Sequence, residues 1–139
     1  MFSKLSGLTL ALSGLLIMGS DVLAADDTSK LCAKAEQRYV ELYGQPSAKV
    51  SDAVVVKMYK YRFCPEKVSV RAGTTVRWVN VDKRTSHTVH LNETNEPESL
   101  RLFPKETFEF TFLSAGEQKY LCGPHWETQK MIGMVSVTP

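Results

Sequence analysis

Tyr120-Leu121-Cys122-Gly123-Pro124-His125-Trp126-Glu127-Thr128-Gln129-Lys130-Met131 runs straight into Ile132-Gly133-Met134-Val135-Ser136-Val137, which alternates like a strand. A cysteine, a histidine and a methionine thus share one short loop that ends in a β segment. The other two histidines stand upstream, in Ser86-His87-Thr88-Val89-His90. A thiolate, two imidazoles and a thioether are the donors of a trigonal copper site with a weak axial sulfur. These ligands bind both Cu(I) and Cu(II) while granting neither its preferred geometry, so little has to move when one electron does. Holding such a compromise requires a rigid scaffold that brings the loop against a distant segment.

The rest of the chain supplies that scaffold. Val54, Val56 and Met58 share one face at a period of two, Val68 and Val70 another, and Phe108, Phe110 and Phe112 alternate with Glu109 and Thr111. Turn residues punctuate the runs at Cys64-Pro65, Ala72-Gly73, Asn95 to Pro97 and Ala115-Gly116. Short alternating runs at this spacing predict a β-sandwich or barrel. Ahead of them, Leu31, Ala35, Tyr39 and Leu42 fall at three- and four-residue spacing, predicting a helix over 27–43. Asp27 or Thr28 caps its start, and Gly44 with Pro46 stops it. The organisation expected is therefore a helical extension over 25–50 and a strand domain over 51–139.

Residues 1–24 read as a secretory leader. Lys4 gives a positive start, Leu5 to Gly19 is apolar, and Val22-Leu23-Ala24 offers small residues for cleavage. A membrane anchor is the alternative, but the apolar run falls short of the roughly 20 residues that span a bilayer. No cysteine follows the cleavage point to carry a lipid. The mature chain is then exported, to the periplasm, where disulfides persist. Seventeen basic against fifteen acidic residues leave a net charge of +2, and a leader carrying only Lys4 and Asp21 does not change it. No basic face for nucleic acid is indicated.

Beyond donor types, the order of motifs resembles the cupredoxins, the family of plastocyanin, amicyanin, pseudoazurin and azurin. The resemblance rests on Val68-Ser69-Val70-Arg71-Ala72-Gly73-Thr74-Thr75-Val76-Arg77-Trp78-Val79-Asn80, on His87-Thr88-Val89, and on Phe108 to Phe112 before Gly116. Tyr120 to His125 and the closing Met131-x-Gly133-x-Val135-x-Val137 complete it. It implies an all-β, cupredoxin-like Greek-key β-sandwich, here with a short N-terminal α-helix. It implies one copper ion cycling between Cu(I) and Cu(II), with His87, Cys122, His125 and Met131 as ligands. It also implies a one-electron carrier; with the leader read above, that carrier is exported, monomeric and without a membrane span once the leader is removed. Its partner would be a redox protein such as a c-type cytochrome or a periplasmic oxidoreductase. A periplasmic role in copper tolerance, by binding copper or oxidising Cu(I), is the alternative. Catalysis is not expected: Cys122 with His125 lacks an orienting third residue for a nucleophile, and only His90 is left over for a second metal.

Two features depart from the family pattern. Five residues, Trp126 to Lys130, separate His125 from Met131, more than in plastocyanin-like or amicyanin-like loops. Gly123 stands where relatives often carry a hydroxyl. Within the ligand set, His87 shares a face with the core-like Val89 and is favoured over His90. Met131 shares a face with Gly133, Val135 and Val137 and is favoured over Met134, while the Gln129 amide is a rival axial donor. Once Cys122 is assigned, Cys32 and Cys64 remain, and in an exported chain they most simply form a disulfide; a second, thiol-based copper site is the alternative. Pro124 and Trp126 are read as an apolar docking edge, and Glu93, Glu96 and Glu98 as a solvated loop.

Overall fold

A computed structural model describes residues 21–139, with side chains from Asp26 onward. The expected leader over 1–24 lies almost wholly outside the described residues. The first helix, α1, spans Asp21–Tyr43, so it begins earlier than its apolar stripe announced and runs through the expected cleavage point. Its end is as read: Gly44 takes φ +73° and donates its N–H to the Val40 carbonyl at 2.8 Å, the left-handed cap that glycine adopts without strain. A 3-10 turn, Ser47–Lys49, leads into the strands.

Seven strands follow: β1 Val54–Tyr59, β2 Arg62–Cys64, β3 Lys67–Arg71, β4 Thr74–Asn80, β5 Thr107–Phe112, β6 Gly116–Leu121 and β7 Ile132–Thr138. One sheet has the order β2-β1-β4-β5, the other β3-β7-β6. Within them β1 runs parallel to β4 and β3 parallel to β7. Alternation does what was expected of it. Val56, Met58, Val76, Trp78 and Phe112 meet Val70, Tyr120, Val135 and Val137 in one buried cluster between the sheets. Tyr120 packs edge-on against Phe63 and Trp78, with ring centroids 4.6 and 5.2 Å apart, a favoured aromatic geometry. A Cβ on residue 133 would overlap the Tyr120 ring, so the glycine of β7 is what admits that tyrosine.

β1 is buried on both faces. Val55 and Val79, on the outer side of their sheet, lie under Ala35 and Tyr39 of α1, and Cys32 is disulfide-bonded to Cys64 of β2. This explains a run of three valines where simple alternation would put a polar residue. Lys57 also points outward into this layer; its side chain is 9% exposed and is met by Glu36 at 2.9 Å and by the Ser47 hydroxyl at 3.1 Å.

Burial pushes the Glu36 carboxyl up, but the hydrogen bonds from Ser47 and Lys57 outweigh it and hold the group below its ordinary value. A carboxyl depressed in the folded state stabilises fully above its unfolded pKa, and that stability is lost as pH falls through the lower folded value. Glu36→Gln should therefore flatten the acid limb of the stability profile. At neutral pH it should cost about 1–3 kcal/mol, because buried Lys57 loses its charged partner. Urea unfolding midpoints from pH 7 to pH 3 check this; parallel profiles for the two proteins would refute it.

Candidate metal centre

His87 and Val89 share a face as in a strand, yet their segment belongs to none of the seven strands and is held by two isolated bridges. His87 exchanges both backbone hydrogen bonds with Leu102, and His90 does so with Leu121. His87 and Val89 are fully buried, whereas His90, expected to point to solvent, is half-buried. Thr88 is buried as well, which strict alternation would not allow.

Cys122 follows β6 directly and is fully buried. Its carbonyl accepts the N–H groups of His125 at 3.0 Å and Trp126 at 2.9 Å, turning the chain back sharply. Residues Trp126–Gln129 then form a single helical turn, α2, closed by Lys130 in the left-handed region at φ 55°. That turn takes up the extra length between His125 and Met131. β7 begins at Ile132 rather than Met131. Met131 precedes it, fully buried in the same cluster as Cys122, and accepts the Cys122 N–H at its carbonyl at 3.1 Å. Gln129 is exposed, and Met134 lies half-buried on the face opposite Gly133, Val135 and Val137.

The Cys122 Sγ lies 3.3 Å from His125 Nδ1 and 3.9 Å from His87 Nδ1. Ligand atoms of these three residues all fall within 4.8 Å of one another. A first-row ion bonded at about 2.0–2.1 Å to nitrogen and about 2.3 Å to sulfur, at trigonal angles, separates N from S by roughly 3.8 Å. The donor set fits such an ion. His90 is outside this group.

Electrostatics orient the imidazoles. His87 Nε2 donates to Asp82 Oδ2 at 2.7 Å, in a pair that is almost completely buried. Donation from Nε2 leaves the Nδ1 lone pair free toward the sulfur, as metal-binding histidines require. Asp82 is itself fixed by the Lys60 N–H at 3.1 Å, and its own N–H donates to Asn80 Oδ1 at 2.9 Å. Burial pulls the His87 pKa down, but the bonds to Asp82 and Cys122 prevail and raise it. His125 is lowered, by burial and then by the positive potential of His87 and Arg101. The Tyr61 ring stands edge-on to His125, 4.9 Å between centroids. Arg62 Nη1 donates to the Gln129 carbonyl at 2.6 Å, tying the β1–β2 hairpin to the loop. Pro124 is exposed and Trp126 is 41% exposed beside the half-buried His125.

Asp82, Tyr61 and Thr88 escaped the sequence reading. Nothing in the spacing of Asp82 to His87 announces a contact, and Tyr61 arrives through a hairpin turn in which Lys60 and Tyr61 both have positive φ. Glu98 was read as solvated, but its carboxylate accepts the Thr88 hydroxyl; the residue is exposed while its functional end is docked.

Residues 50–138 match the family described as copper binding proteins, plastocyanin/azurin family. Amicyanin of Paracoccus versutus is 30% identical over 78 residues, which are 54% of this chain and 59% of that protein, so the chain spans less than two thirds of it. The chloroplastic plastocyanin of Physcomitrium patens is 28% identical over 131 residues, 87% of this chain and 70% of that one. A crystal structure of Paracoccus versutus amicyanin superposes with a TM-score of 0.55 at 32% identity, covering 66% of this chain and 88% of that chain. The chain belongs to the plastocyanin/azurin family of copper-binding proteins, and copper is the cofactor its donor set fits.

Proposed function

We propose that the protein is an exported one-electron carrier, in which His87, Cys122 and His125 would hold one copper ion strongly and the Met131 thioether would be its fourth, weaker ligand. The observation that carries this is the convergence of two Nδ1 atoms on one buried thiol. When bound, copper supplies a Cu(I)/Cu(II) couple. The chain's own residues do the rest. Asp82 fixes His87 in one tautomer, the Cys122 turn fixes His125, and the backbone bond from Cys122 to Met131 holds Met131 beside the thiol. Two sheets and a helical turn hold these positions, and such a rigid frame would keep reorganisation small. Among the described residues one such group is found, with His90 apart from it, and a single copper cycling between two states suits a carrier.

Pro124 and Trp126 flank His125 at the surface, and we take them as the docking edge for a redox partner such as a c-type cytochrome. The periplasm is the compartment in which such a partner, the leader and the Cys32–Cys64 disulfide are all consistent. Truncating an aromatic at the centre of an interface commonly costs more than about 1 kcal/mol. Trp126→Ala should slow electron transfer to cytochrome c by about fivefold or more while leaving the visible spectrum nearly intact. Stopped-flow kinetics test it, and unchanged rates would argue against this edge.

A further inference from the structure

The glycine that departs from the family pattern has a structural counterpart. A Cβ on Gly123 would land on the carboxylate of Glu98, so the missing side chain is what lets that carboxylate reach the centre. Its position is set by backbone. Ser99 N–H donates to the Val89 carbonyl at 2.9 Å, and the Val89 N–H donates to Ser99 Oγ at 2.9 Å. This two-point clamp lays residue 98 across Thr88. The Thr88 hydroxyl then donates to Glu98 Oε1, while its oxygen accepts the Gly123 N–H at 2.9 Å.

The same threonine faces the sulfur. Its backbone N–H donates to Cys122 Sγ at 3.4 Å, and its hydroxyl oxygen lies 4.0 Å from that atom. A hydroxyl has one proton to give. It can go to the carboxylate or to the sulfur, and an ionised oxygen acceptor wins over a more distant sulfur. We propose that Glu98 is a positioning residue that holds the Thr88 hydroxyl proton away from Cys122 Sγ, and so keeps the reduction potential of the copper centre low. The direction follows from the thiolate. A second donor to the sulfur withdraws electron density that would otherwise stabilise Cu(II), and hydrogen bonding at this sulfur is a known lever on potential.

The inference rests on the copper reading above, and the experiment separates the two. Protein film voltammetry is run on the copper-loaded wild type and on Glu98→Ala, Glu98→Gln, Thr88→Val and the Thr88→Val/Glu98→Ala double variant. Visible spectra and thermal midpoints serve as controls. Glu98→Ala frees the hydroxyl to turn to sulfur. It should raise the potential by an amount equal to about a tenfold change in the Cu(I):Cu(II) ratio, or about 59 mV for one electron. Glu98→Gln keeps an acceptor oxygen and should shift less than a third as far. Thr88→Val has no hydroxyl to redirect; it should stay near wild type, and Glu98→Ala added to it should do no more than Glu98→Gln does alone. Equal shifts for alanine and glutamine, or an undiminished alanine shift in the valine background, would mean that only the charge acts and would overturn the proposal. So would a Glu98→Ala potential equal to wild type. Should Glu98→Ala fail to fold, Thr88→Val decides: a large shift there overturns the proposal, because the native hydroxyl is then already engaged with sulfur. A wild type without a thiolate-to-copper band would instead defeat the copper reading and the inference with it.

Discussion

Cys122→Ser should fold, and its copper-treated form should lack the intense visible band of the wild type. Cys122 is fully buried and is the point on which both imidazole Nδ1 atoms converge. The colour expected of the oxidised protein is charge transfer from thiolate to copper, and a serine hydroxyl, un-ionised at neutral pH, cannot provide it. Affinity should fall as well, since a neutral oxygen replaces a soft anionic donor. The fold has little reason to fail. Serine is smaller than cysteine, and its oxygen can accept the Thr88 N–H that the sulfur accepts now. The loss of stability should therefore stay within about 1–2 kcal/mol. Absorption spectra after titration with one equivalent of Cu(II), beside circular dichroism of the apo protein, decide the matter. A folded variant that keeps the band would remove Cys122 from the site.

The sandwich was legible because alternation is a direct record of which side chains face the core. Val56 and Met58, Val70, Val135 and Val137, and Phe112 were placed correctly by period two alone. The donors were legible because few residue types offer sulfur and imidazole nitrogen, and three of the four stand within ten positions of one another. What surrounds the donors was not. Asp82, Tyr61 and Glu98 reach the centre from segments whose local pattern is that of turns and loops, and a carboxylate in a loop looks the same in sequence whether it is solvated or docked. Gly123 was visible only as a departure; that Glu98 fills its place depends on the Ser99–Val89 clamp, a tertiary contact. The face of β1 under α1 was hidden for a related reason. Alternation reports one buried face, and Val55 and Lys57 are buried by a helix whose docking site no local pattern names.

That helix is the subject of the second large effect. Removing the disulfide with Cys32→Ala and Cys64→Ala should lower stability by about 3–4 kcal/mol, the chain entropy released by opening a link between residues 32 positions apart. For a domain of this size that is a fall in melting temperature on the order of 10–20 °C. The loss should not spread evenly along α1. Its C-terminal half is held independently, by Ala35 and Tyr39 in the outer cluster, by Glu36 on Lys57 and by the Tyr43 hydroxyl on the Lys105 carbonyl. Its N-terminal part has the exposed Lys30–Asp26 pair, worth little, and the covalent link at Cys32. Amides from 26 to 33 should therefore lose hydrogen-exchange protection in the double variant, while those from 38 to 43 keep most of theirs. The copper centre should change little, because β2 remains paired to β1 and the hairpin still reaches the loop through Arg62 and Tyr61. The visible spectrum of the variant should match the wild type while its melting temperature falls. If the band shifts as strongly as stability drops, the staple acts on the metal loop rather than on the helix.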